Sequence, residues 1–372
     1  NRTTLQNEVS KDITTWSINK LHSTITSLYN ASLNEPSVLQ NSNIEKYDPI
    51  LIKGENTRNI RPTLYDFLAQ RALAYFTNDE TTITKPAYKF IIDNADFYSP
   101  VATFIKMSIK TNDNSSNHHK ALLIFQQLLA FHLNDKDKSA LLDVDIQRLN
   151  FVQQYATINN KNEIFEKALL QLESDYPDNE YVAEAMYLRA NIYFTKGKQY
   201  NAGSNTDNQY EIKRAKELCE ATYAKFPKSS GGINCKNLIN TITKPSINIR
   251  TEKVNIPGQP FKSLVEYKNV SQLFVRIIKT TRDELNKIES INNNQTQWEK
   301  MIALSPLKSE SIKLPDLNDY QEHSVEIKTD KLENGVYIML TSLNNNFSFS
   351  NNIIARQIVH ISNISYISRN EE

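Results

Sequence analysis

Thr241-Ile-Thr-Lys-Pro-Ser-Ile-Asn-Ile-Arg250 decides the fold, because the spacing of the apolar residues changes inside it. Upstream of Pro245 they recur every three or four positions, as on one face of a helix. Downstream they alternate, as on strands with one buried face. Ile247 and Ile249 begin the alternation, and Leu273, Val275 and Ile277 continue it, with Phe274, Arg276 and Ile278 on the other side. Val325 and Ile327 repeat it, as do Val336, Ile338 and Leu340 after the Asn334-Gly335 turn, and finally Ala355, Gln357, Val359 and Ile361. The chain reads as an all-α domain over 1–243 and a β domain over 244–372. Short strands separated by turn signals make the second an antiparallel sandwich of immunoglobulin-like type. Asp283 to Leu304, around Trp298, reads as a helical or irregular insertion within it.

The α half opens with a helix expected from about Val9 to Tyr29, then a loop through Pro36 and Pro49. Pro62 suits a first helical turn, and Leu64, Phe67, Leu68, Ala72 and Tyr75 then form one stripe. Thr77 to Asn117 gives no clear period. Helices resume at His118 to Asn134, with Leu122, Phe125, Leu128, Leu129 and His132 inward, and from there they come in pairs. Lys138 to Thr157 precedes Glu163 to Tyr176, which Pro177 stops. Val182, Met186, Ala190 and Tyr193 line the next helix, and Ala215, Cys219, Thr222 and Phe226 line its partner before Pro227. Ala190, Tyr193 and Gly197 fall at the small, aromatic and turn positions of the tetratricopeptide pattern, with Lys198 to Gln209 as an inserted loop.

Composition excludes several classes. Seven glycines in 372 residues leave no G-x-G-x-x-G, G-x-x-x-x-G-K-[ST] or G-x-S-x-G motif, which removes most nucleotide-dependent and serine-hydrolase readings. With 43 Lys+Arg against 42 Asp+Glu, no long-range field draws the chain to nucleic acid or an anionic membrane. No segment reaches the roughly 18 to 20 apolar residues of a membrane helix.

No active site emerges. Of the six histidines His22, His118, His119, His132, His323 and His360, none sits in H-E-x-x-H or near a cysteine at metal-ligand spacing. His118 and His119 read as solvated surface residues, and His132 as a partly buried packing residue. Cys219 falls on a core face, where a thiol is inert. Asp143, Asp145, Glu163, Glu166, Glu173 and Asp175 read as the polar faces of amphipathic helices. No catalytic, cofactor-binding or metal-ligating set is expected.

Three stretches carry a resemblance. Arg61-Pro-Thr-Leu-Tyr-Asp-Phe-Leu-Ala69 with Arg71-Ala-Leu73 is similar to a segment near the start of the alpha-2-macroglobulin-like proteins of Bacteroidetes. Glu252-Lys-Val-Asn-Ile-Pro257-Gly-Gln-Pro260, Val265-Glu-Tyr-Lys-Asn-Val270 and Leu273-Phe-Val-Arg-Ile277 resemble the opening strands of that family's first macroglobulin domain. Gly335-Val-Tyr-Ile-Met-Leu340 resembles its late strand. The resemblance implies a periplasmic or surface-exposed protein, lipid-anchored upstream, whose full length acts in protease inhibition or envelope defence. This portion would be a non-enzymatic scaffold and docking module. Its partners would be the downstream macroglobulin domains of the same chain, and a target protease or an envelope protein. The family's thioester, Cys-x-Glu-Gln, is absent here, since Glu-Ala-Thr follows Cys219 and Lys-Asn-Leu follows Cys235. The rival class is a glycan-binding outer-membrane lipoprotein of the starch-utilisation type. Glu184-Ala-Met-Tyr-Leu-Arg-Ala-Asn-Ile-Tyr-Phe194 faintly resembles one of its helices, whereas the β half speaks against it.

An oxidising envelope location would let Cys219 and Cys235 form a disulfide, if the two helices that carry them pack antiparallel. The alternative is two buried, reduced thiols acting as small apolar fillers.

Overall fold

The computed structural model describes residues 11–55, 57–78, 88–252 and 254–364. Among the described residues the named elements up to Thr243 are helices and the first strand begins at Ser246, so the element type switches around Pro245. By internal contacts the chain forms two compact units, one of residues 1–192 with 221–235, the other of residues 193–220 with 236–372.

The first unit is helical. Helix α1 is Ile18–Ser32, α2 Pro36–Gln40, α3 Leu64–Phe76, α4 Val101–Phe104, α5 Asn117–His132, α6 Ser139–Tyr155 and α7 Lys161–Asp175. Helix α8, Val182–Gly197, begins here, and α9, Glu211–Lys225, ends here. α3 lies against α5, α5 against α6, and α6 against α7. The helix starts follow local capping chemistry. Ser17 accepts from the Lys20 amide, so α1 begins at Ile18; the expected start at Val9 lies outside the described residues. Thr63 and Asp66 form a capping box, which puts Pro62 before the helix rather than in its first turn.

The stripe expected on α3 is rotated. Its deepest residues are Tyr65, Ala69, Ala72, Leu73 and Phe76, while Leu64, Phe67, Leu68 and Tyr75 are half-buried. Tyr75 stacks on Tyr29 of α1 at 5.4 Å, so α3 has apolar neighbours on two sides and no single stripe describes it. On α5 the five residues expected inward, Leu122, Phe125, Leu128, Leu129 and His132, are all buried.

Helix α10, Ser230–Thr243, contains Gly231 and Gly232 in its first turn. A Cβ on Gly231 would lie 2.1 Å from the Ala183 carbonyl carbon. Glycine is there to let α10 start directly against the backbone of α8.

Among its described residues the second unit holds eight strands: β1 Ser246–Thr251, β2 Val254–Asn255, β3 Phe261–Lys268, β4 Gln272–Thr280, β5 Lys308–Lys313, β6 His323–Thr329, β7 Gly335–Ser342 and β8 Ile354–Ile361. They form a three-stranded sheet β1-β3-β6 and a five-stranded sheet β2-β8-β7-β4-β5. All pairings are antiparallel except β2 with β8, which is parallel. Between β2 and β3 the chain turns at Gly258, whose φ of +74° suits glycine and whose N–H donates to the Leu332 carbonyl at 2.9 Å.

One buried cluster draws Ile249, Val265 and Ile327 from the smaller sheet and Leu273, Val275, Tyr337, Met339 and Val359 from the larger. Two helices between β4 and β5, α11 (Arg282–Glu289) and α12 (Asn294–Ala303), cover the larger sheet's other face. Leu285, Ile288 and Met301 meet Ile278, Ile338 and Leu340 there. The larger sheet is thus buried on both faces, so Val336 to Leu340 reads as an unbroken apolar run.

The tip between α8 and α9 belongs to this second unit. Gln321 donates through Nε2 to the carbonyls of Gly197 and Gln209 at 3.0 Å each, and Gln209 donates back to Asp319 Oδ2 at 2.9 Å. The polar stretch after Lys198 is therefore anchored at both ends to the loop before β6.

Candidate functional site

Helix α6 explains the most distinctive site. Outside the partly exposed stripe of Asp143, Gln147, Asn150 and Gln154, the residues Ala140, Leu141, Leu142, Val144, Ile146, Leu149, Phe151 and Val152 give this helix a buried arc wider than half its circumference. Asp145 and Arg148 on it must be buried with it, and they are, at 2% and 1% exposure. Arg148 answers the burial with one polar partner for each guanidinium nitrogen. Its Nε donates to Asp145 Oδ1 at 2.7 Å, its Nη1 to the Phe97 carbonyl at 2.7 Å, and its Nη2 lies 2.6 Å from Asp145 Oδ1. The guanidinium also sits 4.4 Å from the centre of the Phe104 ring. Burial nonetheless pushes the Asp145 carboxyl up, against the pull of Arg148.

This ion pair lies at the base of an open cleft of about 440 Å³ between the 95–102 segment, α6 and α7. Val101, Leu149, Ile164, Ala168 and Leu172 give it apolar walls. Lys167, Gln171 and Asp175, four residues apart on α7, form one exposed row along its rim. Gln171 donates to Asp175 at 2.8 Å. Burial pushes the Tyr176 hydroxyl at the edge upward, reinforced by Asp175 and Asp145. No histidine or cysteine lines the cleft. Its volume and lining suit ligand binding.

A second constellation centres on His132. The ring is fully buried, with Nε2 2.8 Å from Asp66 Oδ1 and Nδ1 2.7 Å from Asp135 Oδ2. Asp66 also accepts from Thr63 through its other oxygen, joining the cap of α3 to the end of α5. Both ring nitrogens face carboxylate oxygens, which favours the doubly protonated imidazolium. Burial opposes that charge, but Asp66 and then Asp135 outweigh it and raise the His132 pKa. Nearby, Asp143 lies 3.6 Å from Arg61 and accepts from Gln147. Burial raises the Asp143 carboxyl in spite of Arg61. His132 thus ties three segments together, a larger role than the packing residue expected.

The remaining histidines are tucked in. His118, expected on the surface, lies 4.1 Å ring-to-ring from Tyr155; His119, also expected there, has Nε2 2.9 Å from the Ile109 carbonyl. Phe151 and Tyr155 of α6 pack on the His118 ring and Phe90 packs on the His119 ring, contacts that their polar sequence context hides. His22 meets the Tyr75 hydroxyl, and His323 meets Asp319 at 2.8 Å. His360, half-buried on β8, has its pKa lowered by burial and then by Arg282.

Of the six carboxylates assigned to polar helix faces, Asp145 is fully buried, and Glu173 is half-buried against Arg189 at 2.5 Å. The signal in the sequence is that Asp145 and Arg148, three residues apart, both fall on the apolar arc of this helix and not on its polar stripe. Cys219 and Cys235 are both buried, on α9 and α10. Among the described residues no group of three or more His, Cys, Asp or Glu side chains could hold a metal ion, and no helix is long and apolar enough to cross a membrane. No protein-family model matches the chain, and no curated protein matches it in sequence.

Proposed function

We propose that this chain is the non-enzymatic N-terminal portion of a macroglobulin-like protein of the cell envelope, acting as a scaffold and docking module for protease inhibition or envelope defence. The observation that carries the reading is the order of architectures, helices to Thr243 and then two sheets with a shared core. In this reading the helices are tetratricopeptide-like, and Ala190, Tyr193 and Ala215 are buried where that pattern needs small and aromatic residues. The β half is an immunoglobulin-like macroglobulin sandwich. The strand order supports this: β1 pairs antiparallel with β3 in one sheet, and the chain then crosses so that β2 pairs parallel with the last strand, β8, in the other.

The reading frame downstream of Glu372 tests the proposal. A run of further β domains supports it, and a stop codon directly after Glu372 overturns it. Tight oligosaccharide binding by the chain in calorimetry would favour the glycan-binding lipoprotein instead.

A further inference from the structure

His132 stands where α5 ends, and the protons on its ring decide what that end is tied to. Nε2 faces Asp66 Oδ1 at 2.8 Å and Nδ1 faces Asp135 Oδ2 at 2.7 Å, but the two carboxylates are unequal. The Asp66 side chain is 2% exposed and that of Asp135 is 40% exposed. Asp66 is also fixed in place, since its second oxygen accepts from the Thr63 amide at 2.9 Å and the Thr63 hydroxyl at 2.8 Å. Asp135 belongs to the turn between α5 and α6, where its amide donates to the His132 carbonyl at 3.1 Å and Lys138 Nζ donates to the Leu133 carbonyl at 2.7 Å. Next to Asp66 stand Asp143 of α6 and Arg61, 3.6 Å from each other, and the turn itself carries Lys136, Asp137 and Lys138. On its own helix the ring meets that of Phe131 at 4.5 Å.

An imidazolium serves both carboxylates at once, and the last turn of a helix favours its charge. A neutral imidazole has a single N–H and must give up one partner. Losing a donor costs a buried carboxylate more than an exposed one, because water replaces the bond only at the surface. The remaining proton therefore stays on Nε2 with Asp66, and Asp135 turns to solvent. We infer that His132 is a proton-operated latch on the turn between α5 and α6: doubly protonated it pins the turn to α3, and on losing a proton it releases Asp135 while keeping Asp66. Leu133, the residue after the ring, lines the cleft between the 95–102 segment, α6 and α7, so the latch sets how firmly that wall is held. Burial opposes the charge, but Asp66 and then Asp135 outweigh it and hold the pKa above 6.5. The latch is thus closed below about pH 6.5 and opens as pH rises through the folded value.

The test is NMR of the full chain with nitrogen-15-labelled histidine, titrated from about pH 6 to about pH 10. Two protonated ring nitrogens are expected at the acid end and the Nε2–H tautomer at the alkaline end. Hydrogen-exchange protection of the Asp135 amide should fall with the same midpoint, while that of the Asp66 amide, bonded to the Thr63 hydroxyl at 3.3 Å, persists. Asp135→Asn, which keeps the shape of the acceptor and removes its charge, should weaken the ring's hold on its proton about ten- to a thousandfold. An Nδ1–H tautomer at high pH, an Asp135 amide whose protection ignores the titration, or an unshifted midpoint in Asp135→Asn would each overturn the inference. So would a ring that keeps both protons until the chain unfolds.

Discussion

Replacing Gly231 with alanine should destabilise the helical unit, although alanine is the better helix former. The new Cβ would sit 2.1 Å from the Ala183 carbonyl carbon, 2.3 Å from its oxygen and 2.3 Å from the Glu184 nitrogen. Carbon atoms settle at about 3.5–4.0 Å, so the start of α10 must retreat by about 1.5 Å. All three obstacles are backbone, and no rotamer change relieves them. Overpacking of this kind costs about 1–3 kcal/mol, occasionally more. Alanine's helical advantage over glycine, about 1 kcal/mol in a helix interior and smaller in a first turn, offsets only part of it. A net loss of about 0.5–2.5 kcal/mol corresponds to a fall in Tm of about 1–10 °C for a unit of this size. Differential scanning calorimetry of the full chain measures it. Gly203→Ala is the control, since a Cβ there meets only Asn201 Oδ1 at 3.5 Å. A Gly231→Ala protein that melts with the wild type, or above it, would refute the close-approach reasoning.

Four further outcomes follow from the same geometry. Arg148→Met leaves Asp145 buried without its partner and should lose about 3–5 kcal/mol in urea unfolding, whereas Asp145→Leu with Arg148→Met should recover most of it. His132 has a folded pKa raised above 6.5, so its stabilisation should be complete below about pH 6.5 and be lost as pH rises through the folded value. His132→Gln should remove that alkaline loss from stability measured across pH, and an unchanged profile would sink the clasp. Thiol titration of denatured, unreduced protein should find no reactive thiol if Cys219 and Cys235 are joined, a bond worth roughly 3 kcal/mol for a loop of about 15 residues; two thiols per chain would end that idea. Lys262→Ala should change stability by less than about 1 kcal/mol, because the pair it forms with Glu326 is exposed on both sides.

The cleft and the clasp were legible in different degrees. Helix α6 announces a wide buried face through its apolar residues, and Asp145 and Arg148, three apart, fall within that face. That the pair stands at the base of a cleft depends on the 95–102 segment, which has no period and enters only through tertiary contacts. Asp66 and His132 are 66 positions apart, and no local rule links them. Asp66 was recognisable as a capping residue, yet its second role as the acceptor for a buried imidazole belongs to the packing of α3 on α5.

The sequence by itself determined the element types and the place where they change. Periodicity depends only on which positions share a face, and the switch around Pro245 from 3.6-residue to 2-residue spacing is local information. Sheet membership, in contrast, was decided by tertiary structure. Ile247 and Ile249 mark β1 as a strand, but nothing near them says that the next two paired residues, Val254 and Asn255, cross to the other sheet and run parallel to β8. The same holds for Gly231: a pair of glycines suggests a turn wherever it occurs, and only the presence of Ala183 beside it makes it the point of contact between two helices. Local patterns fix which face is apolar, and only the folded chain fixes what that face meets.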